Sequence, residues 1–161
     1  MIRRWRGRRH RDHCPAGPAG PADHRRSYRM SLASTWSAAR ASRRITVTVL
    51  TGWGVPPRTV VHDAAVLALT ELVTNAVRHA GPRSPFFDLL LAVTGSHLEA
   101  GARDGHPGLP DVPRAGDTGG LADVADLVRH LGGDLKIQPA PGGGKTVYVR
   151  LPLSPSTAIP Q

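Results

Sequence analysis

The amino-acid sequence predicts an α+β fold, a two-layer sandwich with helices packed on one face of a mixed, mostly antiparallel sheet. Periodic patterns occur in the order helix, helix, strand, strand, loop, helix, strand, strand, so helices do not alternate strictly with strands. Both strand pairs are joined by short turns, as in hairpins. The 161 residues suit one domain, and with 40% hydrophobic but only 4% aromatic residues the core must consist mainly of Val, Leu, Ile and Ala.

Two amphipathic segments predict the first two helices. Apolar residues step by three and four through residues 37–53, SAARASRRITVTVLTGW, although the TVTV stretch is also compatible with a strand. The second helix covers residues 59–79 and ends at Gly81-Pro82. Its segment LALTELVTNAVRHA carries an apolar stripe at i, i+3, i+4 and i+7 that predicts one buried face. The stripe comprises Leu69, Leu72, Val73, Ala76, Val77 and Ala80.

The rest of the domain is predicted to form two hairpins, one on each side of a third helix in the sequence. A buried strand pattern and a weakly alternating one are followed by a loop rich in Gly and Pro, a helix with an apolar stripe, and two further strands. The ranges are, in order, 86–94 (strand), 97–103 (strand), 104–120 (loop), 121–131 (helix), 134–138 (strand) and 145–153 (strand).

The net charge of +9 is concentrated at the N-terminus. Residues 1–29 contain nine Arg and two Asp, whereas the other residues carry 12 Lys and Arg against 10 Asp and Glu. We therefore expect a disordered tail at 1–29, a folded domain at 30–153 and a loose tail at 154–161. The basic tail is either a nucleic-acid-binding or acidic-surface-binding segment or an unstructured extension before a start at Met30, and solvated charge runs favour the extension.

Several protein classes are excluded by composition. The one cysteine, Cys14, allows no disulfide and no cysteine-based zinc site within one chain, which fits a reducing compartment. No run of about 18 apolar residues predicts a membrane span, and the basic start lacks the apolar segment of a secretory signal. We therefore expect a cytoplasmic protein without membrane contact.

Glu71 and Asn75 are the first candidate site. They lie four residues apart on the second helix, so they project from the same side of it, roughly opposite the apolar stripe. A carboxylate and an amide oxygen one turn apart suit a hard cation such as Mg²⁺, and the carboxylate can also act as a general base. The alternative from spacing alone is a solvated face on which Glu71 pairs with Arg78 or His79.

The loop after the second strand supplies the next candidates. Asp104 at a strand end can accept a hydrogen bond from an exocyclic amine such as that of adenine, and the glycines beside it let the backbone approach a flat ring. Gly116, Gly119 and Gly120 precede a helix, where exposed N–H groups can bind phosphate. Lys145 follows three glycines, but GGGKT lacks the spacing of a Walker loop and enters a strand.

Taken in order, these motifs resemble the ATP-binding domain shared by DNA gyrase, Hsp90, sensor histidine kinases and MutL, the GHKL superfamily with its histidine-kinase-like ATPase (Bergerat) fold. Within it the chain looks most like the small anti-sigma-factor serine/threonine kinases. The sequence ELVTNAVRHA at 71–80 matches the N-box, DGHPG at 104–108 the first glycine box, and DTGGL at 117–121 approximates the second. Residues 131–153 resemble the closing hairpin, so the resemblance spans about 36–153.

The resemblance implies a magnesium-ATP site and a role for each matching residue. Glu71 would be the general base, Asn75 would bind the Mg²⁺ that bridges the triphosphate, and Asp104 would hold the adenine amine. The remaining implied nucleotide contacts are Gly105 and Gly108 at the base, Gly119, Gly120 and Leu121 at the phosphates, and Thr146 near the adenine-side water. The implied partners are a sigma factor, an anti-sigma antagonist as phosphate acceptor, or both, and homodimers are common among such proteins.

Three functions follow. The first is an ATP-dependent serine/threonine protein kinase acting as an anti-sigma-type regulator. The second is a nucleotide-binding or partner-binding module without catalysis, because His106 replaces the middle glycine of the first box and the lid between the boxes is short. In the second box, either Thr118 replaces the first glycine or a short deletion has occurred. The third is nucleic-acid binding through residues 1–29.

Overall fold

The computed structural model describes residues 26–81 and 83–153 and confirms the predicted α+β fold. Three helices lie on one face of a five-stranded open sheet of order β1-β2-β3-β5-β4. Every pair of neighbouring strands is antiparallel, so the described strands include no parallel pair and the sheet is not mixed. The elements are β1 (Arg26–Ala33), α1 (Trp36–Gly52), α2 (Val60–Asn75), a π-helical turn (Ala76–Ala80), β2 (Phe86–Thr94), β3 (His97–Asp104), α3 (Gly120–His130), β4 (Asp134–Pro139) and β5 (Lys145–Pro152).

Strand β1 was not expected from the sequence. It pairs with β2 in the register Ser31↔Asp88, so residues 26–29 belong to the sheet and the prediction of disorder for them is wrong. Tyr28, Met30 and Leu32 alternate with polar residues on the two faces of β1, a signal for a strand that the charged segment before it obscured, and the polar outer face suits an edge strand. Its polar side chains find a partner in β2, where Asp88 accepts hydrogen bonds from Arg29 and Ser31. Residues 1–25 and 154–161, which the two predicted tails include, lie outside the described residues.

Helix α1 confirms the helical interpretation of the segment that contains TVTV. Thr35 caps it by accepting from the backbone N–H of Ala38. Ser42 and Thr46 are buried in its middle, and each hydroxyl donates to a backbone carbonyl of the preceding turn. A β-branched residue is therefore tolerated here because packing and a local hydrogen bond outweigh its modest helix propensity.

Helix α2 is the centre of the helical layer. All six residues of the predicted stripe are buried, and the helix packs against β3 and β5 on one side and α1 and α3 on the other. Among the described residues, the Val60–Ala80 segment alone is long and apolar enough to span a membrane by length and composition, but more than half of it is buried within the domain, as in a core helix. Its last turn, Ala76–Ala80, is π-helical, a form frequent at functional sites.

Strand β5 turns alternate side chains toward the helices. Its buried side chains are Lys145, Val147, Val149 and Leu151, and the residues between them are less buried. The register places Lys145 opposite Asp104, the last residue of β3. The start of β5 and the end of β3 therefore meet at one end of the sheet, beneath the C-terminal end of α2.

Candidate functional site

A cavity of about 1190 Å³ opens at this end of the sheet. Its walls are the end of α2 with the π-helical turn, the ends of β3 and β5, the loop 105–119 and the first turn of α3. The volume is slightly above the range of about 300–1,000 Å³ usual for small-molecule sites. The cavity therefore has room for a ligand of nucleotide size with bound water.

Glu71 and Asn75 lie together in the wall formed by α2. Both are partly buried, and within the described part of the chain no ion pair joins Glu71 to Arg78 or His79. The structure therefore contradicts the alternative in which Glu71 pairs with Arg78 or His79 on a solvated helix face. Instead the Glu71 carboxylate lies against the start of α3, where a Cβ on Gly120 would overlap it.

The first turn of α3 borders the cavity, and no side chain at its N-cap position accepts from its first backbone N–H groups. Gly119 precedes the helix at φ 113° and provides no side-chain cap, and both Gly119 and Gly120 line the cavity. The positive φ suits glycine alone, and the absence of a cap leaves the first backbone donors of the helix to a ligand or water. Together with the helix dipole, these donors form a site suited to an anion.

Asp104 and Lys145 form a buried ion pair in the floor of the cavity. The Lys145 Nζ lies 2.9 Å from Asp104 Oδ1, and the side chains are only 10% and 5% exposed. The same Oδ1 accepts from the backbone N–H of His106 at 2.8 Å. The carboxylate is thus held rigidly and its charge is compensated before any ligand arrives.

His106 forms part of the cavity lining rather than pointing out of it. Its Nδ1 accepts a hydrogen bond from the backbone N–H of Gly108 at 3.0 Å, which fixes the imidazole along the loop. Farther along, Arg129 of α3 donates to the carbonyl of Pro113. The first bond stiffens the loop near β3, and the second attaches its later part to α3.

Seven of the nine predicted nucleotide-site residues line this one cavity: Glu71, Asn75, Asp104, Gly108, Gly119, Gly120 and Leu121. Gly105 instead lines a separate shallow hollow, and its N–H donates to Ser84 Oγ at 2.9 Å. Thr146 does not line the cavity either, because the alternation of β5 turns its two neighbours, Lys145 and Val147, inward. Sequence reasoning missed Lys145, although extending the Val147, Val149, Leu151 alternation back by two positions would have placed it inside.

The part of the chain that the structure describes holds no metal centre made of protein ligands alone. Within residues 26–81 and 83–153 no three His, Cys, Asp or Glu side chains come together. The amide of Asn75 in the cavity wall is an oxygen ligand of the type that Mg²⁺ accepts. Because Mg²⁺ usually takes one or two protein ligands plus substrate phosphates, the residues present fit a metal that arrives with a nucleotide.

The family model described as "Histidine kinase-, DNA gyrase B-, and HSP90-like ATPase" matches residues 61–155. The chain belongs to this family. The match begins in α2 and runs through the cavity-lining elements to β5, so the family's nucleotide-binding unit and the cavity coincide. No curated protein sequence matches the chain.

Two solved structures from Erythrobacter litoralis are similar to this chain. One is the histidine kinase domain of the EL346 blue-light-activated histidine kinase, with 21% identity, a TM-score of 0.47, and coverage of 74% of this chain and 62% of that one. The other is the EL346 blue-light-activated histidine kinase itself, with 27% identity, a TM-score of 0.48, and coverage of 62% of this chain and 32% of that one. The chain therefore spans less than two thirds of the length of either structure.

Proposed function

We propose that the protein is a magnesium-ATP-dependent serine/threonine protein kinase that regulates transcription as an anti-sigma-type factor. The observation that supports this most is the convergence in one cavity of Glu71, Asn75, Asp104 and the glycines that open α3. Each supplies the chemistry that one part of the nucleotide needs. The finer assignment to the anti-sigma kinases rests on the resemblance of the N-box and the two glycine boxes.

The nucleotide would lie with its base at the sheet and its phosphates at α3. Asp104 accepts from the adenine amine, and Gly108 borders the base. The free N–H groups around Gly119 and Gly120 donate to phosphate oxygens, and Asn75 is the protein ligand of Mg²⁺. Phosphoryl transfer depends mainly on such positioning and charge neutralisation.

Glu71 is the residue for proton transfer. In the proposed reaction a serine or threonine oxygen of the acceptor protein attacks the γ-phosphorus, its O–H proton passes to the Glu71 carboxylate, and the bond to the bridging oxygen of ADP breaks. The carboxylate is suited to this because no hydrogen bond or ion pair engages it in the described residues. It lies beside Gly120, where the phosphates would end.

The binding half of the proposal is tested by titration calorimetry with Mg-ATP. We expect binding to the wild-type protein in the micromolar to sub-millimolar range usual for metabolite sites, and at least tenfold weaker binding to Asn75→Ala in the presence of Mg²⁺. Glu99→Gln, on β3 and outside the cavity lining, is the control and should bind normally. Absence of ATP binding by the wild type would refute the proposed function.

The catalytic half is tested by incubating the protein with γ-labelled ATP and candidate anti-sigma antagonists. Transfer of label that Glu71→Gln abolishes, while ATP binding persists, would support the kinase. A general base contributes about 10²- to 10⁴-fold, so the loss should be easy to measure. ATP binding without transfer to any candidate would instead favour the second function.

That second function is a nucleotide-binding module without catalysis. Two observations favour it: His106 forms part of the cavity lining, and Asp104 already holds Lys145. The His106 side chain reduces the space for an adenine ring, and the ion pair reduces the number of Asp104 acceptor sites left for the adenine amine.

Three further expectations belong to the same proposal. The protein acts in the cytoplasm, it associates with a sigma factor or an anti-sigma antagonist, and it forms a homodimer. Nucleic-acid binding through residues 1–29 is tested by comparing the full chain with a chain that starts at Met30. Equal binding by both at low salt would refute a role for the tail.

A further inference from the structure

Lys145 is a buried cation to which the proposed function assigns no role. It occupies the first inward position of β5, and the next inward positions hold Val147, Val149 and Leu151. Burial of a charge costs free energy that its partner repays only when the geometry is good, and an apolar pair in the same place is often no less stable. A contribution to stability is therefore a weak explanation for the presence of a lysine at this position. Its place in the cavity lining points instead to a contact with the ligand.

Both members of the ion pair keep hydrogen-bonding capacity toward the cavity. The Lys145 ammonium has three donors, and Asp104 Oδ1 is the only acceptor that it reaches among the described residues. An ionised carboxylate has about four acceptor sites, and Asp104 uses its Oδ1 for Lys145 and for the N–H of His106. Both side chains line the cavity. A ligand in the floor thus meets an acceptor and a donor side by side.

This arrangement matches the edge of an adenine. The exocyclic amine of adenine is a donor, and the ring nitrogens on either side of it, N1 and N7, are acceptors. The Lys145 Nζ and Asp104 Oδ1 lie 2.9 Å apart, close enough to contact neighbouring atoms of one base edge.

We propose that Lys145 is a base-reading residue: it donates a hydrogen bond to a ring nitrogen beside the adenine amine while Asp104 accepts from the amine itself. The inference rests on the proposed function, because it assumes that a nucleotide base occupies the floor of the cavity. It makes the ion pair, rather than the carboxylate alone, the determinant of base specificity. The loss of either partner then affects the other's contact with the base.

The test compares ATP with 1-deaza-ATP and 7-deaza-ATP, each of which lacks one of the two ring nitrogens. Calorimetry is done on the wild type, on Lys145→Met and on the control Lys136→Met, whose exposed lysine pairs with Asp134 on the edge strand β4. We expect the wild type to bind one analogue about 10- to 100-fold more weakly than ATP and the other normally. Lys145→Met should bind ATP more weakly by a similar factor and should not distinguish the analogues, and Lys136→Met should behave as the wild type.

Three results would overturn the inference: ATP binding by Lys145→Met that equals or exceeds that of the wild type, equal binding of ATP and both analogues to the wild type, or tighter binding of GTP than of ATP. If Lys145→Met does not fold, the wild-type series decides alone, and Lys145→Arg should keep the discrimination because it keeps charge and donors. ATP binding without dependence on Lys145 removes this inference only. No ATP binding by the wild type removes the proposed function as well.

Discussion

Replacement of Lys145 by Met should destabilise the fold far more than the same replacement at Lys136. Both lysines lie on neighbouring strands and each pairs with an aspartate at a similar distance, 2.9 Å to Asp104 and 3.1 Å to Asp134. They differ in burial: the first pair is 10% and 5% exposed, the second 50% and 46%. The comparison therefore isolates the effect of burial on an ion pair.

The magnitude follows from that difference. Met keeps the aliphatic stem of Lys145, so little apolar burial is lost, and the main cost is the Asp104 carboxylate left buried without its counter-ion. Removal of one partner of a buried pair costs about 3–5 kcal/mol, whereas a solvent-exposed pair is screened by water and contributes little. For a domain of this size we expect the melting temperature to fall by about 10–20 °C for Lys145→Met and to change little for Lys136→Met.

The assay is urea denaturation at pH 7, with thermal melting alongside. The double variant Asp104→Asn/Lys145→Met should recover much of the loss, because it removes the uncompensated charge while the asparagine still accepts from the His106 N–H. A loss at Lys145 no larger than that at Lys136 would refute the reasoning, as would a double variant that is less stable than Lys145→Met alone.

Three further perturbations have definite outcomes. Gly144→Ala should cost at least about 2 kcal/mol in urea denaturation, because Gly144 has φ 81° and a Cβ there would overlap the backbone carbonyl that ends β3. Gly120→Ala should lower phosphate transfer at least tenfold with little change in melting temperature, because only the flexible end of Glu71 has to move. The hydrogen bond from His62 lowers the pKa of Asp63, so Asp63→Asn should be less stable than the wild type at pH 6, with a difference that shrinks as the pH falls below the ordinary Asp pKa of 3.8 and through the lowered one.

Each of these has its own control. Gly142 also has φ 81° but nothing within 4 Å of a built Cβ, so Gly142→Ala measures backbone strain alone, and an equal loss at Gly144 would refute the steric argument. A large fall in melting temperature for Gly120→Ala would show that the start of α3, not the position of Glu71, is affected. An Asp63→Asn deficit of the same size at pH 3 and pH 6 would exclude the linkage to its ionisation.

Much of the fold was predictable because local patterns and burial agree. The α2 stripe from Leu69 to Ala80 is buried as its period requires, and β2, β3 and β5 follow apolar runs or alternation. Strand β1 was missed although Tyr28, Met30 and Leu32 alternate with polar residues and are the less exposed positions of the strand, because three alternating residues beside a basic, Pro- and Gly-rich segment are a weak signal. Its assignment depends on pairing with β2 and on the bonds that Arg29 and Ser31 make to Asp88, which are contacts between residues far apart in the chain.

The sequence by itself determined the family, through its ordered motifs, and it predicted most of the residues that line the cavity, since spacing places Glu71 and Asn75 on one side of a helix and glycines before α3. Tertiary structure alone decided which of the predicted residues meet. Pairing of β3 with β5 turns Lys145 toward Asp104 and excludes Thr146 from the cavity, and the approach of α3 to α2 brings Gly120 against Glu71. The physical reason is that strand register and helix packing, which act over long sequence distances, set which side chains share a buried space.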